Sequence, residues 1–279
     1  MKIIKDSQIG REVAFLVMTS DPGLKYMPGF MYLWDTFANE VETVYIGGYS
    51  EPDFALLPAF HFDKIGSIQN YPVEKWTNGF IDELIRLKDR GYSFVIPFLE
   101  DYWIMRPVNW PVVTMAWQFA RYWIKNTPGF LKIDLTSDRA LSGHAREEME
   151  LTGEPVDFFR SLDPQYKASL QTSLWSIDSL LHITVANRSP WEFELEGSAR
   201  LENTPYKNGV YGTYQWPVKY QIVVNKGVLD RAGKWMYPPR SIAEFYWAQM
   251  DAYHIVPDKH TDLNIWNHYA ENLYRSESN

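Results

Sequence analysis

Short apolar runs separated by mixed stretches set the rhythm of the N-terminal hundred residues. EVAFLVMTSD (12–21) is an unbroken apolar run closed by small polar residues, which predicts a buried strand with Thr19, Ser20 and Asp21 at its C-terminal end. LKYMPGFMYLWDTFANE has helical apolar spacing with an interruption near Pro28-Gly29, and VETVYIGGYS reads as a second strand. In PVEKWTNGFIDELIRLKDRG (72–91), Trp76, Phe80, Leu84 and Leu87 fall on one helical face and Gly91 closes the helix. YSFVIPFL then makes a third strand, which delivers Glu100 and Asp101. Strands that alternate with helices predict an α/β fold with a mostly parallel central sheet flanked by helices.

Beyond the acid pair, WPVVTMAWQFARYWIK (110–125) has the pattern of a helix and FLKIDLTS (130–137) that of a strand. Residues 138–163 carry Gly, Pro and mixed charge with weak periodicity, so they predict an insertion or mobile loop. YKASLQTSLW is a strand candidate, SIDSLLHITVANR a helix and SPWEFELEGSARLEN a second helix. KYQIVVNKG predicts another strand and SIAEFYWAQMDAY a terminal helix. With no repeat, low-complexity tract or linker, the pattern predicts a single domain over 1–279.

Composition changes this picture in three places. The chain has no cysteine, which excludes disulfides, cysteine nucleophiles and cysteine-based zinc sites and agrees with a reducing compartment. The N-terminus lacks a signal-peptide pattern, and no run approaches the roughly 18 apolar residues of a membrane span, so the expectation is a cytoplasmic protein without a transmembrane segment. The net charge of −8 is unevenly spread: residues 205–240 hold Lys207, Lys219, Lys226, Arg231, Lys234 and Arg240 against Asp230 alone. Tyr and Trp are interleaved with these bases, and 12 Trp and 18 Tyr in the whole chain suit binding of sugars or nucleobases. A basic segment of this kind offers a surface for phosphate.

Candidate chemistry collects at two stretches. In open α/β sheets ligands bind beyond the carboxyl ends of the strands, and here those ends carry Asp21 and the pair Glu100-Asp101. Carboxylates are hard ligands for Mg²⁺ or Mn²⁺, with substrate phosphate and water completing the shell; the same acids can instead cap a turn or pair with Arg106. In SPWEFE (189–194), Ser189, Pro190 and Glu192 make a capping box. That leaves Trp191 and Glu194 unexplained, and a carboxylate beside aromatic rings can act as a general base toward a hydroxyl. Walker A, GxGxxG, GxSxG and HExxH patterns are absent.

Four segments together resemble bacterial nucleotide-sugar glycosyltransferases of the GT-A fold, the kind that build capsules and lipopolysaccharides: VAFLVMTSD, YSFVIPFLEDYWIMRPVN, YKASLQTSLWSIDSLLHI and SPWEFELEGS. VVNKGVLDRAGKW is similar to the family's basic ending. The resemblance spans about residues 12–236 in short, degenerate motifs. It implies a Rossmann-like GT-A sheet and transfer of a sugar, with inversion, from a nucleotide-diphosphate donor to an acceptor hydroxyl. Thr19, Ser20 and Asp21 would then serve the nucleoside; Asp101 would hold the metal, with Glu100, Tyr102 and Trp103 beside the donor. Trp191, Lys226 and Lys234 would add donor contacts, and Glu192 or Glu194 would be the base. Glu100 stands where the family commonly has Asp, which weakens a strict two-aspartate metal site. The acceptor could be a glycan, a lipid-linked sugar or a modified DNA base. A noncatalytic carbohydrate- or nucleotide-binding protein on the same scaffold is the alternative.

Overall fold

Six successive side chains of Val13–Met18 are buried, a pattern that needs a strand covered on both faces. The computed structural model describes residues 8–104, 106–126, 129–136, 139, 146–149, 156–162 and 166–222. The strands in chain order are β1 (Val13–Met18), β2 (Val44–Gly48), β3 (Phe60–Lys64), β4 (Phe94–Leu99), β5 (Tyr102–Ile104), β6 (Lys132–Asp134), β7 (Arg146–Met149), β8 (Phe158–Ser161), β9 (Ser173–Ser176), β10 (Val210–Thr213) and β11 (Tyr220–Ile222). The helices are α1 (Gln8–Glu12), α2 (Met27–Phe37), α3 (Trp76–Asp89), α4 (Trp110–Asn126), α5 (Ile177–Ile183) and α6 (Pro190–Leu201).

The described residues fall into two compact units. One draws on the described residues within Met1–Asp21, Glu40–Leu99 and Val108–Val218, the other on those within Pro22–Asn39, Glu100–Pro107 and Lys219–Asn279. The first unit holds a nine-stranded sheet among the described residues, in the order β3-β2-β1-β4-β9-β6-β10-β8-β7. Only β8 and β9 run against the other strands. The fold is therefore α/β with a mostly parallel sheet, as the alternation of strands and helices predicts.

Side-chain alternation along β1 sorts the helices. Ala14, Leu16 and Met18 join a core with Phe80, Leu84 and Leu87 of α3, Leu180 of α5 and Phe193 of α6. Phe15, on the other face, meets Trp110 of α4 edge-on at 5.7 Å. The β4 ladder is lopsided. It pairs with β1 from Phe94 through Leu99, but with β9 only at Phe94 and Val95. Pro97, which has no N–H to give, lies in the stretch where β9 no longer pairs.

Several elements differ from the sequence expectation. Pro28 does not interrupt a helix; it sits in the first turn of α2, where its missing N–H costs nothing. The described parts of 138–163 include β7 and β8, which extend the sheet edge. Only the last part of YKASLQTSLW is strand, and Tyr166–Thr172 is irregular yet largely buried. β5 and β10, three and four residues long, are too short to show a period. The terminal helix expected at SIAEFYWAQMDAY lies outside the described residues. Among the described residues no helix is long and apolar enough to cross a membrane.

In the second unit, β5 and β11 form a two-stranded antiparallel ribbon. Tyr102 stacks on Tyr220 with ring centroids 4.3 Å apart and planes 7° from parallel.

Candidate functional site

The register pairs Met18 with Leu99, so β1 and β4 end side by side. Thr19, just past β1, is buried, and its N–H donates to Gly47 O at 3.0 Å. Asp21 Oδ1 accepts the Ser50 N–H at 3.0 Å, which ties the segment after β1 to the segment after β2. Between those two ties Tyr49 is buried, and burial together with the Asp21 charge pushes its phenol up to about 12. Backbone closeness here depends on glycine: a Cβ on Gly48 would lie 2.7 Å from Phe62 and 3.1 Å from Thr19 Cγ2. Ser20, between these anchored neighbours, is partly exposed. The strand ends therefore present a fixed polar edge at Thr19, Ser20 and Asp21.

Within the second unit, Glu100 and Asp101 head the β5 ribbon. Burial first, then the adjacent Asp101 charge, push the Glu100 carboxyl up to about 8. Trp103 Nε1 donates back to Glu100 O at 3.2 Å. The Trp103 ring lies against Gly29 of α2, where a Cβ would come within 2.2 Å of it. Tyr102 and Trp103 are both buried, Tyr102 against Tyr220 and Trp103 against Gly29, so the residues that follow the acid pair are packed. Among the described residues no three His, Asp or Glu side chains gather as a metal cage. Two adjacent carboxyls that repel each other do fit a divalent cation that takes most of its shell from phosphate and water.

The start of α6 folds as its sequence dictates. Ser189 Oγ accepts the Glu192 N–H at 3.3 Å, and Glu192 Oε2 accepts the Ser189 N–H at 2.8 Å. The Ser189 N–H, and then the Ser189 hydroxyl donating to the same Oε2 at 2.9 Å, hold the Glu192 carboxyl below its usual range. Trp191 is 63% exposed. Glu196 is taken up by Arg188 at 2.6 Å and Arg200 at 3.2 Å. Glu194 points elsewhere: it accepts the Leu170 N–H at 2.6 Å. Burial pushes its carboxyl up, while the Leu170 N–H and the Lys132 charge pull it back. The candidate bases Glu192 and Glu194 are thus two residues apart, on different sides of α6, and in different employment.

No family model matches the chain, and no curated protein sequence matches it. Among solved structures, one described as a cytidylyltransferase from Leptospira borgpetersenii serovar Hardjo-bovis is similar, with 9% identity, a TM-score of 0.40, and coverage of 89% of this chain and 99% of that one.

Sequence reasoning missed a buried charged cluster on β6. Lys132 Nζ lies 2.6 Å from Asp134 Oδ1, which also accepts from Ser173 Oγ at 2.6 Å. Arg139 Nε donates to Asp134 Oδ2, and Arg139 also reaches Ser161 Oγ at 3.0 Å. Burial drives the Lys132 ammonium down to about 8, whereas the two cations hold Asp134 down at about 2. The signal was present in FLKIDLTS: Lys132 and Asp134 are two apart on a strand and so share one face. Lys226 and Lys234, proposed from the sequence as donor contacts, lie outside the described residues.

Proposed function

We propose that this protein is a glycosyltransferase that moves a sugar from a nucleotide-diphosphate donor to an acceptor hydroxyl. The observation that carries this reading is the polar edge where β1 and β4 end together, with Asp21 locked to Ser50. Strand ends of a mostly parallel sheet are where such folds bind ligands. In this reading Thr19, Ser20 and Asp21 hold the nucleoside, and Glu100 and Asp101 serve the diphosphate. A divalent cation, Mn²⁺ or Mg²⁺, held by Asp101 would offset charge on the diphosphate leaving group.

Glu194 supplies the base. Desolvation raises its affinity for a proton, which suits a group that must take one from a hydroxyl near neutral pH. Glu192 is the second candidate, already engaged by its own helix. Inversion, a glycan or lipid-linked acceptor and a cytoplasmic location belong to the same reading.

Thermal-shift titration with nucleoside diphosphates and nucleotide sugars, with and without Mn²⁺, tests it directly, because a ligand of the native state raises its melting temperature. Expected are stabilisation by one nucleotide class, hydrolysis or transfer of its sugar, and loss of both in Asp101→Ala with the fold retained. No stabilisation by any nucleotide would overturn the proposal. Binding without turnover would point instead to a noncatalytic nucleotide- or carbohydrate-binding protein.

A further inference from the structure

The Ser169–Leu170 peptide group is held between two opposite charges. Its carbonyl accepts from Lys132 Nζ at 3.0 Å, and its N–H donates to Glu194 Oε1 at 2.6 Å. We propose that Lys132 is a positioning residue for Glu194, acting through this single peptide group to hold the carboxylate in place and in its charged form. The consequence for transfer rests on the reading of Glu194 as the base; the coupling itself does not.

Three features carry the inference. First, the bridge is one covalent unit, so polarisation at one end reaches the other. An ammonium on the carbonyl oxygen makes the N–H a stronger donor, and a carboxylate that accepts a backbone N–H is favoured in its ionised form. Second, the peptide cannot swing aside. Arg139 donates to Tyr166 O at 2.6 Å, Lys167 Nζ reaches Glu202 at 2.8 Å and Lys207 O at 2.7 Å, and Ser198 Oγ accepts the Ala168 N–H at 3.0 Å. Every residue from Tyr166 to Leu170 is thereby tethered through its backbone or side chain. Third, Asp134 and Ser173 take two of the three N–H donors of the Lys132 ammonium, with the Trp175 ring 4.7 Å away. Ser169 O takes the third, and that bond links the β6 charges to α6.

Among the described residues the charged group that acts on Glu194 is Lys132, with Asp134 and Arg139 behind it on the β6 side, and the neutral Ser169 hydroxyl on the intervening segment adds a hydrogen bond. Lys132 is fully buried, so it touches no substrate and acts only through its neighbours.

The test is the titration of the Glu194 carboxyl carbon by NMR in the full-length protein and in Lys132→Met. Removing the ammonium is expected to raise the Glu194 midpoint by about one pH unit. Where Lys132→Met does not fold, Glu194→Gln read at the lysine gives the same coupling from the other end, since linkage is reciprocal: the Lys132 midpoint is expected to fall by a similar amount. An unmoved midpoint in the variant that folds overturns the proposal. The pH profile of sugar transfer by Lys132→Met then separates the two readings. An acid limb that moves with the NMR midpoint at unchanged donor KM supports both. A moved midpoint with an unmoved limb keeps the coupling and removes Glu194 as the base.

Discussion

Gly23 lies so close to Glu100 that a Cβ on the glycine would sit 1.8 Å from Glu100 Oε1 and 2.6 Å from Cδ. Glycine at position 23 is thus what leaves the acid side chain its place at the head of β5. The atom that must yield is the end of a side chain, so Gly23→Ala should displace the carboxyl without unfolding the protein. If Glu100 serves a nucleotide diphosphate, affinity in Gly23→Ala should fall about tenfold, or about 1.4 kcal/mol, with little change in melting temperature. In a Glu100→Ala background the glycine substitution should add nothing. Wild-type affinity in Gly23→Ala would detach Glu100 from ligand binding.

Glu83 on α3 is fully buried, and its carboxylate lies 3.9 Å from both Arg86 and Arg90. Asp63 on β3 holds Arg90 through two bonds, one of them 2.8 Å, and faces Glu83. Burial, then the Asp63 charge, push Glu83 from 4.5 up to about 8. Between those values the folded protein keeps a proton that the unfolded chain has released, so stability falls as pH rises. Asp63 is held low and acts only in the acid range, where its contribution is lost as pH falls. Melting temperature followed from pH 5 to pH 8 should therefore decline, and Glu83→Gln, neutral throughout, should decline less steeply. Equal slopes in the two proteins would show that Glu83 does not carry the proton.

The large elements were legible because periodicity and burial agree in them. β1, β4 and α3 show their pattern over five residues or more, and the capping box at Ser189 and Glu192 is a purely local device that sequence alone specifies. The β6 cluster was only half legible: the spacing of Lys132 and Asp134 puts them on one face, but a charged pair in a strand normally marks a solvated face. Here Lys132 and Asp134 are buried where Ser173 and Ser169, 39 and 37 residues away along the chain, meet them, together with the nearby Arg139. Nor could the sequence reveal that Glu194 takes the Leu170 N–H, since 24 residues separate the partners.

Asp21 makes a narrower test of the nucleoside edge. Its bond to the exposed Ser50 N–H ties two chain segments but shields little surface. Losing such a bond should cost about 1 kcal/mol of stability or less. Asp21→Ala should accordingly melt close to wild type while losing most of its stabilisation by added nucleotide. Asp21→Asn, which can still accept the Ser50 N–H, should keep more of it. Unchanged nucleotide stabilisation in Asp21→Ala would move the nucleoside away from the end of β1.

The two glutamates of α6 separate capping from catalysis. Glu192 is exposed and bonded to Ser189, so Glu192→Gln, which can complete the same box, should leave transfer near the wild-type rate. Ser189→Ala removes the cap itself and should cost about 1 kcal/mol of stability without a matching loss of rate at temperatures where the protein stays folded. Glu194→Gln can still accept the Leu170 N–H through its amide oxygen, so the Ser169–Leu170 segment should keep its place. What the glutamine lacks is the ability to take a proton. If Glu194 is the base, Glu194→Gln should bind donor normally, melt near wild type and lose about 10²–10⁴ in transfer rate. Full transfer activity in Glu194→Gln, with donor binding intact, would reduce its role to anchoring Leu170. A matching loss in Glu192→Gln instead would hand the role to the capping glutamate, and the comparison of rate with melting temperature decides between them.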